Sequence, residues 1–306
     1  MSAGSGMPEP YLHDLGNGFH LYVQLDGSWG LNNVGIHVGR EAVTLIDTTM
    51  TERRARALRR AVAELTDKPI RTVINTHHHA DHTYGNYLFP EATIIGHELC
   101  RSATLATGFA TKEWFPGVDW GDLEIRAPEV TFTEELTVWF DDVPGKLRYW
   151  GPAHTTDDVT LWIEDRGLLF TGDLAFNGGT PFVVMGSVQG LIDTLVQVDR
   201  LGAAVVAPGH GAVCGPETIG DQLRYLRFLQ DRAKEGFAAG IAPLDWGRQI
   251  DLGEFAGLTD RERLVGNLHR AYSELRGEPL GVALDFDRVV ADMVAFNDGH
   301  PLHCVA

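Results

Sequence analysis

Apolar and polar positions alternate along this chain in two different rhythms, and the change from one to the other outlines the fold. "FHLYVQ", "NVGIHVG" and "AVTLIDT" are short β-rich runs separated by Gly and Asp turn signals, and read as successive strands. "TERRARALRRAVAEL" switches to helical spacing, and "RTVIN" returns to strand just before the polar stretch "THHHADHTYGN". "ATIIGH" is expected as a further strand leading into a helix near 97–105. From 122 to 172 the pattern predicts strand after strand: "LEIRA", "LTVWF", "KLRYW", "DVTLWIE" and "GLLFTG". A helix near 188–200 then precedes the strand "AAVVAPG". Strands and helices interleaved in this way predict an α/β protein with sheets packed between helices.

Beyond about residue 215 only the helical rhythm remains, in "ETIGDQLRYLRFLQDRAKEG", "TDRERLVGNLHRAYSELRG" and "DFDRVVADMVAFN". The expected organisation is an N-terminal tail over 1–14, a core over 15–215, and a helical extension over 216–306 packed on that core, because no flexible linker separates them. Composition is that of a globular protein, with 44% hydrophobic and 22% charged residues. "MSAGSGMPEPYLHD" has neither the basic nor the apolar part of an export signal. No run reaches the roughly 18 apolar residues that span a bilayer. Cys100, Cys214 and Cys304 are too few and too scattered for a disulfide framework. A soluble cytoplasmic protein is expected.

The formal net charge of −17 opposes general nucleic-acid binding, since polyphosphate would be repelled. Positive charge is concentrated in one place, where Arg53, Arg54, Arg56, Arg59 and Arg60 crowd the first helix. A solvated helix face is the plain reading of such a run; a docking face for an acidic partner is the other.

Four segments carry chemistry, each at a predicted strand end where loops from a rigid sheet converge. They hold His77, His79, Asp81 and His82 in the first, His154 in "GPAHTTDD", Asp173 in "FTGDLAF" and His210 in "APGHG". These five imidazoles and two carboxylates suit zinc or another divalent first-row ion, with nitrogen and oxygen donors and no thiolate. His78 is expected to point away and serve a structural role.

This order of HxHxDH, His, Asp and His resembles the metallo-β-lactamase superfamily over about residues 15 to 215. The resemblance implies a four-layer αββα sandwich and two metal ions, most naturally Zn2+. It implies one metal on His77, His79 and His154, another on Asp81, His82 and His210, with Asp173 bridging. Asp47 in "LIDTT" matches an aspartate that supports the metal loop. Such a pair activates water at neutral pH and polarises an acyl or keto oxygen. The superfamily includes thioesterases, lactonases, nucleases and iron-dependent redox enzymes, among which fold and metal do not choose.

A narrower resemblance runs along nearly the whole chain. "GFATKEWFPGVDWGDLEIRAPEVTF", "NGGTPFVVMGSVQG", "LTDRERLVGNLHRAYSEL" and "MVAFNDGHPLHC" look like the ring cyclases of metallo-β-lactamase fold from bacterial aromatic (type II) polyketide synthases. That resemblance implies aldol ring closure and aromatisation of a polyketide on an acyl carrier protein, with thioester hydrolysis releasing it. A plain metal-dependent thioesterase or lactonase is the alternative. The partner implied is the acidic carrier protein, with Arg53, Arg56 and Arg60 as candidate docking residues. A flat aromatic substrate needs an apolar pocket, for which Trp29, Phe109, Trp114, Phe115, Trp120, Phe176, Phe182 and Met185 are candidates in loops. Asp81 and Asp173 are the expected catalytic carboxylates. His269 and Tyr272, three apart on a helix, are candidate acid–base groups.

Overall fold

In the computed structural model, which describes residues 9–306, two sheets stack face to face. The first has seven strands in sequential order: β1 (Tyr11–Gly16), β2 (Phe19–Val23), β3 (Val34–Val38), β4 (Val43–Ile46), β5 (Ile70–Ile74), β6 (Thr93–His97) and β7 (Val130–Phe132). Pairing is antiparallel from β1 to β4 and parallel from β4 to β7. The second has five strands, β8 (Glu135–Phe140), β9 (Val143–Tyr149), β10 (Val159–Ile163), β11 (Leu168–Phe176) and β12 (Val205–His210). Its last pair, β11 and β12, is parallel and the remainder antiparallel.

Three apolar layers hold these sheets. Phe19, Leu21, Ile46 and Ile74 meet Leu147, Leu161 and Phe170 between the two sheets. On the outer face of the first, Val34, Ile36, Leu45 and Val73 pack on helix α1 (Glu52–Leu65). Thr51 caps α1 by accepting the Arg54 N–H, and Ala55, Leu58 and Val62 recur at the spacing that keeps one face buried. Two short helices follow, α2 (Ala80–Thr83) at the site and α3 (Glu98–Thr107) after β6. Behind the second sheet lie α4 (Val188–Asp199), α5 (Glu217–Ala238), α6 (Pro243–Gly247), α7 (Arg263–Leu275) and α8 (Phe286–Phe296). Leu169, Leu174, Leu191 and Leu195 share one core with Leu226, Leu229, Leu264 and Leu268, so the C-terminal helices and the second sheet bury each other. The result is the αββα sandwich.

Differences from the sequence reading are local. Of the expected tail, residues 1–8 lie outside the described residues, and β1 begins at Tyr11 inside the 1–14 stretch. "LEIRA" forms no strand; pairing along that edge starts three residues later, at β7. Among the described residues, no helix is long and apolar enough to cross a membrane.

Candidate metal centre

The end of β5 delivers His77 and His79, α2 carries Asp81 and His82, and the β9–β10 loop carries His154. Asp173 sits inside β11, where the register with β12 breaks, and His210 ends β12. Ligating atoms of His77, His79, His154 and Asp173 all lie within 4.8 Å of one another, as do those of Asp81, His82 and His210. Asp173 joins the two groups: its Oδ2 is 3.3 Å from His154 Nε2 and 3.4 Å from His210 Nε2, and its Oδ1 is 3.2 Å from His82 Nε2. Asp81 Oδ2 stands 3.3 Å from His210 Nε2.

Supporting groups decide which ring nitrogen faces inward. Nδ1 of His77 lies 3.0 Å from Thr76 Oγ1, and Nδ1 of His82 lies 2.9 Å from Asp47 Oδ2. Carbonyl oxygens of Phe182 and Gly27 accept from Nδ1 of His154 and His210. An imidazole that donates from Nδ1 leaves the Nε2 lone pair free, so these four rings present Nε2 to the centre. His79 is turned the other way, with Nδ1 inward, 2.9 Å from His154 Nε2, and Nε2 against Met185 Sδ at 3.0 Å. Asp47 also accepts the Thr76 N–H at 2.8 Å and its hydroxyl at 2.7 Å, tying the end of β4 to the histidine loop.

Among the described residues His77 Nε2 is buried without a hydrogen-bond partner, and His82 Nε2 and Asp173 Oδ1 face each other across 3.2 Å without forming one. Leaving three such atoms unpaired is costly unless a cation satisfies them, so the donor set fits divalent metal. Electrostatics point the same way. Burial and the charge of His82 hold His77 well below the usual imidazole range, and burial takes His154 down to about 4. Burial also opposes charge on His210, but the Asp173 and Asp81 carboxylates outweigh it and push the ring up to about 9. A cation between them would take the place of that proton.

A model of the metallo-beta-lactamase superfamily matches residues 27–210, spanning every one of these candidate ligands. The chain belongs to that superfamily. A 2,4-dinitroanisole O-demethylase subunit alpha from Nocardioides sp. (strain JS1661) is 30% identical over 149 residues, 48% of this chain and 42% of that protein. The atrochrysone carboxyl ACP thioesterase of Aspergillus fumigatus is 30% identical over 184 residues, 60% of this chain and 51% of its own. Against these two relatives the chain spans about half of their length. Among solved structures, the inverting sec-alkylsulfatase Pisa1 from Pseudomonas sp. shares the fold, with a TM-score of 0.70 at 17% identity, covering 87% of this chain and 50% of that one. The protein is thus a superfamily enzyme with a His/Asp centre suited to divalent metal.

Above the centre opens a narrow cleft whose wall includes Trp29, Trp114, Phe115, Phe176 and Phe182, five of the residues expected there. The other candidates lie elsewhere. Phe109, on the exposed side of its loop, packs against Tyr84 at 5.6 Å between ring centroids. Trp120 also packs near Tyr84, and Met185 backs His79 from behind. Neither His269 nor Tyr272 reaches the cleft: His269 Nε2 pairs with Asp292 on α8 at 2.8 Å, and the Tyr272 hydroxyl donates to the Ile241 carbonyl. A shared helix face does not guarantee a shared neighbour: Tyr272 meets Phe237 on α5 while His269 meets α8. His78 does point away, onto Asp157 at 2.7 Å.

One contribution went unanticipated. Helix α7 carries Arg263, Asn267 and Arg270 at a spacing that puts three polar residues on its buried face. Arg263 donates to the Thr180 carbonyl, Asn267 to Pro181 and Arg270 to Val184. Together they grip the backbone that presents Phe182 to His154 and Met185 to His79. A polar stripe at helical spacing inside "RLVGNLHR" was the available signal.

Proposed function

We propose that this superfamily member is a metal-dependent thioester hydrolase acting on a carrier-bound polyketide, and that ring closure takes place in the same cleft. What carries the reading is the placement of the buried donor set at the foot of an aromatic-walled cleft, in a chain similar to an ACP thioesterase. His77, His79 and His154 would hold one ion and Asp81, His82 and His210 the other, with Asp173 between them. Divalent metal bound there, for which zinc is the expected ion, supplies Lewis-acid polarisation of a carbonyl and lowers the pKa of water.

The chain's own residues define the rest. Trp29, Phe115, Phe176 and Phe182 exclude water and hold a planar acyl group against the centre. Asp81 lies on the cleft wall, and in this reading its carboxylate takes the proton from carbon between two ketones. The resulting enolate attacks a ketone further along the chain, and loss of water aromatises the ring. Hydrolysis of the thioester then frees the acid and the carrier thiol. Hydrolysis without cyclisation is the second reading, favoured by the similarity to a thioesterase.

On the opposite side of α1 from its buried stripe, Arg53, Arg56 and Arg60 are exposed and border a shallow groove with Asp119 and Gly121. Among the described residues Arg53 and Arg60 carry no ion pair, whereas Arg56 is held by Glu52, Arg54 by Gln24 and the Val305 carbonyl, and Arg59 by Leu88 and Glu91. The test is reconstitution with carrier-bound polyketide and mass analysis of products, with and without chelator. Cyclised free acid supports the full proposal, linear free acid supports the second reading, and turnover surviving full metal removal would refute both.

A further inference from the structure

Among the described residues Arg263 is the only lysine or arginine on the cleft wall, and its side chain is almost wholly buried, at 2% exposure. Its guanidinium lies 4.0 Å from the ring centroid of Trp29 and 5.3 Å from that of Phe176. Phe176 in turn stacks on His210, 5.1 Å between centroids and 15° from parallel. The arginine is therefore one aromatic ring removed from a metal-centre histidine. It is close enough to meet a bound substrate, but too far to touch the carbon being attacked.

Two of its nitrogens are engaged, Nη1 with the Thr180 carbonyl and Nη2 with Asp260 Oδ2 at 2.8 Å. Among the described residues Nε has no partner, and Nη1 and Nη2 each carry a second N–H, so the arginine lining the cleft has donors to spare. A guanidinium N–H left unpaired costs free energy, and an acceptor oxygen delivered by the substrate would recover it with a charge-assisted bond. Hydrocarbon offers nothing in its place.

We infer that Arg263 makes the cleft selective for acyl groups bearing an acceptor oxygen (ketone, enolate or phenol) remote from the thioester, against hydrocarbon acyl groups of the same shape. This rests on the thioesterase reading and adds to it a specificity-determining residue. In chain terms, the helical extension reads the substrate while the sandwich core supplies the chemistry.

The test uses the metal-loaded protein and two N-acetylcysteamine thioesters, of naphthoic acid and of its analogue hydroxylated on the distal ring. Wild type should favour the hydroxylated thioester about tenfold in kcat/KM, the worth of one such hydrogen bond. Arg263→Met should erase that preference by slowing only the hydroxylated substrate, and Arg263→Lys should recover part of it. Equal kcat/KM values on wild type would overturn the inference whether or not the variants fold. So would equal losses on both substrates in a variant with native circular dichroism and metal content. If wild type cleaves neither thioester, the hydrolase reading fails on its own. Calorimetric binding of the two free acids then decides on Arg263, with tighter binding of the hydroxylated acid upholding it and equal affinity refuting it.

Discussion

Asp47→Asn is the sharpest test of how the metal loop is organised, because it changes one atom of a buried carboxylate and little volume. Oδ1 accepts the Thr76 N–H, while Oδ2 accepts both the Thr76 hydroxyl and His82 Nδ1. Placing the amide oxygen at Oδ1 turns an NH2 group toward His82. The imidazole must then either lose a partner or move its proton to Nε2, the atom that faces Asp173 across 3.2 Å. Placing the amide the other way sets NH2 against the buried Thr76 N–H. Either orientation forfeits at least one hydrogen bond to a charged group, about 1.5–3 kcal/mol. The positive φ of 68° at this position is one that Asn tolerates, so backbone strain should add little. A supporting carboxylate of this kind is typically worth about 10–100-fold in metal affinity. Competition against a chromophoric chelator measures that directly, alongside thermal unfolding of the metal-free proteins. A folded variant whose metal affinity stays within about twofold of wild type would refute the argument that Asp47 fixes the His82 tautomer.

Gly209→Ala should disable the centre by sterics alone: a Cβ there falls 1.9 Å from Asp173 Oδ1 and 2.7 Å from the Gly172 carbonyl carbon. Metal content by mass spectrometry should drop and stability should fall by about 1–3 kcal/mol; full occupancy at an unchanged Tm would contradict the packing described. Asp158 offers a test by pH. Burial and the adjacent Asp157 charge push its carboxyl up to about 7, so the folded state keeps a proton that the unfolded chain releases near its ordinary 3.8. Its stabilising contribution is therefore fully present below about pH 4 and is lost as pH rises to about 7. Asp158→Asn should flatten the decline in Tm over that window, and parallel profiles for variant and wild type would show the carboxyl is not its source. Charge reversal at Arg53 and Arg60 should slow turnover of carrier-bound substrate roughly tenfold or more at low salt, as loss of electrostatic steering does, while sparing a small free thioester. Equal loss on both would remove these residues from carrier docking.

The gathering of these seven side chains was legible in the chain because metal chemistry selects residue types, and strand ends are where a sheet can gather them. Asp47 was legible as a support of the loop, but the pairing of His154 and His210 was not, since the acceptors on their Nδ1 are backbone carbonyls of Phe182 and Gly27, far away in sequence. The failed strand "LEIRA" has a comparable cause. Its alternation is genuine, but Arg126 reaches over to donate to the Phe89 and Ala92 carbonyls, and Asn86 takes the Arg126 carbonyl. Side chains thus occupy groups that a ladder would have used.

The cleft shows the same limit more strongly. Phe182 and Phe109 are equally aromatic and equally loop-borne, yet Phe182 meets Trp29 at 5.0 Å while Phe109 meets a lysine ammonium at the surface. What separates them is α7, whose three polar residues pin the 180–184 backbone against the metal centre. No helix grips the Phe109 loop in this way among the described residues. Periodicity marks α7 as a helix to be buried but leaves open what its polar stripe would hold. Since that stripe orders the carbonyl on His154 and also supplies Arg263 to the cleft, the C-terminal helices and the metal centre are energetically one unit. Loosening α7 by Asn267→Ala, which deletes the bonds to Pro181 and Val183, should therefore weaken metal binding as well as stability, although Asn267 touches no ligand. Metal affinity unchanged in a destabilised variant would uncouple the two and return α7 to a purely structural role.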